Sequence, residues 1–182
     1  MIKVKKIAAG FFVLFFSLKL TAQQIPLAAA DVLKEAGTVA AKENKNLFII
    51  FTASWCVWCR KMDKSMDDPQ CKKYFDDNYV IRHLVVDEPP DKKHLENAGA
   101  DSLRKVYHGD GQGIPFWLIF DKGGKLLTDS KMPGDMAGER VNIGCPASER
   151  EVNYFIKRLA ETSRLIPEQL ALIYKRFRQN NN

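Results

Sequence analysis

Histidine is scarce, with three residues in 182. His83, His94 and His108 fall at spacings that suit no metal site, so each is expected to be structural or solvated. Cysteine is scarce too. The four, at positions 56, 59, 71 and 145, are too unevenly spaced for a disulfide framework. No second C-x-x-C and no C-x-x-H would complete a structural zinc site, and no methionine or histidine stands at a spacing that suits copper handling. A nucleotide or flavin motif is missing, so no cofactor is expected, and there is no internal repeat. Also missing is an apolar run long enough for a bilayer. The stretch from Ile7 to Leu18 is closed by Lys19 and is shorter than the roughly 18 residues that argue for a spanning helix.

That stretch follows Lys3, Lys5 and Lys6 and precedes Leu20-Thr21-Ala22-Gln23-Gln24, the layout of a secretory signal peptide. Residues 1–22 are therefore expected to be removed, with cleavage after Ala22 or Gln23, leaving one domain over residues 23–182. No cysteine follows the apolar core to take a lipid, so no stable membrane insertion is expected after cleavage, and the product should be periplasmic or otherwise extracytoplasmic. Whole-chain basicity, 28 Lys and Arg against 22 Asp and Glu, owes four lysines to residues 1–22, which hold no acidic side chain. The remainder is nearly balanced, which gives no reason to expect a nucleic-acid partner. A hydrophobic share of 46% suits a domain that buries its own core without disulfide staples.

What is present is a C-x-x-C pair in a telling place. Trp55-Cys56-Val57-Trp58-Cys59 follows the continuously apolar run Leu47 to Phe51, so the pair sits where a buried strand ends and a helix begins. Sulfurs three positions apart can close a small ring across a first helical turn, where unpaired N–H groups stabilise a thiolate. Redox chemistry is the reading this favours over a structural metal site.

Around the pair, Ala29, Leu33, Ala36 and Ala40 predict an amphipathic helix between Pro26 and Asn46. Helical stretches are expected at Arg60 to Met66 and, past Asp68-Pro69, from Gln70 to about Phe75. A strand is predicted over Tyr79 to Asp87, then a helix around Lys92 to Tyr107, broken by the glycine-rich His108 to Gly113. Phe116 to Phe120 and Leu126 to Asp129 read as strands joined by a turn. A loop from Ser130 to Ala147 leads to a Ser148/Glu151 capping box and a helix with Val152, Phe155, Ile156 and Leu159 inward. Pro167 starts a last helix, and Gln179 to Asn182 is expected to fray. Helices alternating with strands and then a hairpin imply an α/β sandwich around a mixed sheet.

This element order, the Trp55–Cys59 motif after a strand, and Gly113-Ile114-Pro115 before the next apolar strand resemble the thioredoxin superfamily over about Ala29 to Leu159. Lys45-Asn46-Leu47, Trp58, Asp68-Pro69 and Asn78-Tyr79-Val80 are similar to exported, lumenal members. The resemblance implies a thioredoxin-like fold with its core at about 29–160 and an extra C-terminal helix at about 163–178. It also implies a thiol:disulfide oxidoreductase in which Cys56 is the more exposed nucleophile and Cys59 the buried resolving thiol. Pro115 would follow a cis bond against Cys56, and the Ile114 backbone would pair with an extended client. Where cytoplasmic thioredoxins bury an aspartate before the active site, this chain has Ile50. Val57-Trp58 leaves the direction of transfer unread.

Trp55 is assigned a client-contact role, while Trp58 is equally suited to packing on the sheet. Arg60, Lys61 and Lys64 either favour a thiolate, partly offset by Asp63, or form a solvated helix face. Cys71 should be a buried structural thiol far down the helix, and Cys145 lies at the end of the fold that carries the active site. Protein substrates with disulfides or thiols and a separate redox partner protein are the expected partners. The rival reading is a thioredoxin-fold binding or chaperone module, working through Trp55, Trp58 and His108 to Pro115, whose disulfide never cycles.

Overall fold

The computed structural model describes residues 25–181; residues 1–24, and with them the expected signal peptide, lie outside the described residues, as does Asn182. No helix among the described residues is long and apolar enough to cross a membrane.

The fold is built on β1 (Asn46–Thr52), which pairs parallel with β2 (Tyr79–Val85) and antiparallel with β3 (Phe116–Phe120). β4 (Leu126–Asp129) pairs antiparallel with β3, giving a four-stranded sheet in the order β2-β1-β3-β4. The apolar runs of β1 and β3 are continuous because successive side chains point to opposite faces and both faces are covered. Phe48, Ile50, Trp117 and Ile119 enter one core cluster; Leu47, Ile49, Phe51, Phe116 and Leu118 enter the other. The second cluster is closed by α1 (Ala29–Glu43), whose Ala36 and Ala40 are fully buried. Small side chains on that stripe let the helix lie close to the sheet. Asn44, at φ 53°, ends the helix by donating its N–H to the Ala40 and Ala41 carbonyls.

The opposite face carries α2 (Val57–Met66), α3 (Lys72–Asn78), α5 (Glu149–Thr162) and α6 (Pro167–Arg178). α5 starts at the expected capping box, with the Ser148 side chain accepting from Glu151 N–H and the Glu151 carboxylate accepting from Ser148 N–H. Its Phe155 ring lies 4.9 Å from that of Phe177 on α6 and 6.5 Å from that of Phe75 on α3. Burying each such ring contributes about 1.5–3 kcal/mol, so the final helix is part of this core.

Four expectations are corrected. The helix predicted over Lys92 to Tyr107 is two pieces, a 3-10 turn at Pro90–Leu95 and α4 at Ala100–Val106. Asn97 forces the break: its side chain accepts from Val85 N–H at 2.7 Å and donates to the Leu27 carbonyl at 2.8 Å, and Gly99 follows at φ 81°. The strand predicted to Asp87 ends at Val85, since Asp87 turns at φ 55° to meet Arg104 at 2.6 and 3.0 Å. The predicted Ser130–Ala147 loop holds a hairpin, β5 (Lys131–Pro133) with β6 (Arg140–Asn142). Asp129 pins it through Arg140, at 2.7 and 3.2 Å. Residues Gln179–Asn181, expected to fray, form a 3-10 turn in which Asn180 is 6% exposed. Its side chain donates to Cys145 Sγ at 3.4 Å and to the Pro146 carbonyl at 3.2 Å.

Candidate active site

β1 delivers the chain to Ala53, and a turn closed by Cys56 N–H on the Ala53 carbonyl, at 3.0 Å, sets Cys56 at the cap of α2. The helix begins at Val57 rather than at Arg60, so Cys59 falls in its first turn. The two cysteines form a disulfide, with Cα atoms 5.3 Å apart. Cys56 Sγ accepts the Cys59 N–H at 3.0 Å. When the bond is reduced, that donor and the helix N-terminus favour negative charge on this sulfur.

Surrounding groups hold the turn from outside. The Glu88 carboxylate accepts from both Ser54 N–H and Ser54 Oγ, and Arg60 donates to the Ser54 carbonyl at 2.9 Å. Lys61 lies 4.4 Å over the Trp58 ring and donates to the Asn180 carbonyl at 3.2 Å. Arg60 and Lys61 thus bond to backbone carbonyls around the site, while Arg60 and Lys64 are also exposed, as a solvated helix face implies. Asp63 is taken up by His83 at 2.8 Å.

The Ile114–Pro115 bond is cis, as the resemblance implies. Ile114 is half-buried against the disulfide, its carbonyl oxygen 3.7 Å from Cys56 Sγ, and Pro115 is buried. Cys56, expected to be the more exposed sulfur, is 2% exposed against 1% for Cys59. Ala53 and Ile114 cover the pair, so with the ring closed neither residue is open to solvent. Trp55 is 53% exposed, and its indole N–H donates to the Asp87 carbonyl at 2.8 Å. Trp58 is 45% exposed. It lines a cavity of about 240 Å³ together with Ile114, Pro115, Asn142, Gly144 and Cys145. Trp58, and not Trp55, therefore shares a wall with Pro115.

Ile50, at the position of the missing aspartate, is fully buried among apolar side chains. Cys71 and Cys145 are free and buried. Burial, reinforced by Asp68, pushes the Cys71 thiol up to about 11, and burial pushes Cys145 up to about 12. Both are held as neutral thiols at ordinary pH. Sequence reasoning missed Glu88 and Asn142. Neither forms a motif with the cysteines, and each reaches the site only through the fold.

An α/β sandwich with a disulfide at the start of the helix after its central strand defines a class of protein. Residues 28–122, just over half of the chain, match a thioredoxin-like family, and the chain belongs to that family. It is 30% identical over 100 residues to the thiol:disulfide interchange protein DsbD of Photorhabdus laumondii, a match covering 54% of this chain and 16% of that protein's length. Among solved structures it is similar to a disulphide isomerase from Xylella fastidiosa Temecula1, at 21% identity and a TM-score of 0.46, over 59% of this chain and 80% of that one. It is also similar to the oxidised DsbD C-terminal domain of Neisseria meningitidis, at 22% identity and a TM-score of 0.40, over 57% of this chain and 83% of that one.

Proposed function

We propose that the chain is an exported thiol:disulfide oxidoreductase acting on protein substrates. The observation that carries this reading is the Cys56–Cys59 disulfide at a helix start, with Cys59 N–H on Cys56 Sγ and the Ile114 carbonyl beside it. As a reductant, Cys56 thiolate attacks a client disulfide, forming a mixed disulfide and releasing one client thiolate. Cys59, losing its proton, then attacks Cys56 Sγ, and the second client sulfur leaves. Two electrons pass to the client, whose two sulfurs take up the protons, and the Cys56–Cys59 bond is regained. The reverse sequence donates the disulfide. Trp55, Ile114 and Pro115 are the client-contacting residues in this reading, and a redox partner protein resets the pair. The signal-like residues 1–22 support an extracytoplasmic, periplasmic setting.

Equilibrating the chain with glutathione or dithiothreitol buffers and counting alkylated thiols by mass spectrometry tests this. A potential near about −270 mV makes it a reductant, and one near about −120 mV a disulfide donor. A pair that never exchanges under native conditions refutes the reading. One observation favours a second function: both disulfide-bonded residues are nearly inaccessible, as suits a binding module with an inert bond. Cys56→Ser separates the two, since an oxidoreductase loses insulin-disulfide reduction and a binding module keeps its client affinity.

A further inference from the structure

The backbone beside the disulfide is held by a residue from outside the matched region. Asn142, at the end of β6, directs its Nδ2 amide at three carbonyl oxygens, those of Gln112 at 3.1 Å, Gly113 at 3.2 Å and Pro115 at 3.1 Å. Its Oδ1 accepts the Gly144 N–H at 3.1 Å, which orients the amide with its donors toward the loop. Of the four carbonyls from Gln112 to Pro115, the Ile114 oxygen alone is left out of this set, and it faces Cys56 Sγ at 3.7 Å.

Asn142 itself stands on firm ground. Ile143 and Cys145, which follow it, are buried in the core, and Ile143 N–H donates to the Ser130 carbonyl at 3.0 Å. Two residues before it, Arg140 grips the buried Asp129. From the far side, Gly144 approaches the proline: a Cβ built there would lie 3.6 Å from both Pro115 Cδ and its carbonyl oxygen.

We propose that Asn142 is a positioning residue for the client: by engaging the carbonyls on both sides of Ile114, it presents the Ile114 backbone to an extended segment of a disulfide-bearing protein. The proposal rests on the oxidoreductase reading. It assigns the hairpin β5–β6 a part in client recognition, and it separates recognition from the sulfur chemistry, since Asn142 touches neither cysteine. A small disulfide needs no strand partner. A protein disulfide does.

The test compares insulin with hydroxyethyl disulfide as substrates of the full mature chain carrying Asn142→Ala or Asn142→Asp, alongside the reduction potential of Cys56/Cys59. Losing the amide should raise KM for insulin about tenfold, the effect of removing one or two hydrogen bonds. The rate with hydroxyethyl disulfide and the potential should stay within about twofold of wild type. Asn142→Asp should be worse than Asn142→Ala, because a carboxylate would face three carbonyl oxygens. Asn142→Gln, which keeps the amide donors on a side chain one methylene longer, should recover part of the insulin KM lost in Asn142→Ala and guards against a variant that folds poorly. Equal losses on both substrates would mean that Asn142 merely supports the fold, and an unchanged insulin KM would mean that it holds nothing the client uses. Either result overturns the proposal. A wild-type chain inert toward both disulfides refutes instead the oxidoreductase reading, and the proposal with it.

Discussion

Glu88 holds Ser54 at two points, one carboxylate oxygen accepting the backbone N–H and the other the hydroxyl. Ser54 lies two residues before Cys56, and Glu88 is almost wholly buried in the turn after β2. Glu88→Gln can keep both contacts, its Oε1 accepting the Ser54 N–H and its NH2 group donating to Ser54 Oγ, but it replaces charge-assisted bonds by neutral ones. Losing the charge should cost about 1 kcal/mol, read as a lower urea midpoint. The insulin-reduction rate should fall with it as the turn before Cys56 loosens. A Glu88→Gln chain with the wild-type midpoint would show that the charge contributes nothing.

The order of attack predicts which variant traps a client. With Cys59→Ser, Cys56 still forms the mixed disulfide but nothing resolves it, so a covalent adduct with reduced-and-reoxidised insulin chains should accumulate on a non-reducing gel. Cys56→Ser should give none. Adducts through Cys59 in that variant would reverse the two roles.

How much of this was readable in the chain depends on the distance over which each feature is determined. β1 and β3 were legible because strands covered on both faces are apolar at every position, and the cysteine pair because three residues set its geometry. The hairpin β5–β6 was not. Its strands are three residues each, and what holds them is Asp129 with Arg140 and Lys131 Nζ on the Tyr107 and His108 carbonyls. Asn97 splits a periodic helix by bonding Val85 and Leu27, partners that no window around residue 97 contains. Asn142 reaches its carbonyls across about thirty residues for the same reason. Polar residues placed by remote partners are invisible to patterns of apolar spacing.

The two free thiols predict an alkaline weakness. Burial raises Cys71 from 9.0 to about 11 and Cys145 from 9.0 to about 12. A raised folded value gives stability that is complete below the unfolded value and is lost as pH rises toward the folded one. Between pH 9.0 and about 11 to 12 the unfolded chain has shed these protons and the folded chain has not. Tyr79, also raised by burial to about 12, adds to the same loss above pH 10. The urea midpoint should therefore drop between about pH 8 and about pH 10.5. The double variant Cys71→Ala, Cys145→Ala should start lower, because it leaves cavities, but show a smaller drop. Iodoacetamide at about pH 8 should leave both thiols unlabelled in the folded chain and label both in urea.

Asn180 ties the C-terminal turn to the back of the active-site helix. Its Oδ1 accepts from Ser65 Oγ on α2 at 3.0 Å, its amide donates to Cys145 and Pro146, and its own carbonyl accepts from Lys61. Ahead of it on α6, Ile173 and Phe177 are fully buried beneath the sheet. Two substitutions separate the contributions. Phe177→Ala removes a ring packed at a tilt against Phe75 and Phe155 and should cost about 3–5 kcal/mol through the cavity it leaves. Asn180→Ala leaves the Ser65 proton on the Lys61 carbonyl but takes the amide donor from the buried Pro146 carbonyl, and should cost about 1–3 kcal/mol. Because Lys61 also covers Trp58 beside the Pro115 cavity and is held there by the backbone carbonyl of Asn180, removing residues 179–182 should change the fluorescence of the chain, whereas Asn180→Ala, which keeps that carbonyl, and Phe177→Ala, at equal fraction folded, should not. If removing residues 179–182 leaves both the urea midpoint and the fluorescence at wild-type values, the terminal turn is an ornament and the brace on α2 comes from α6 alone.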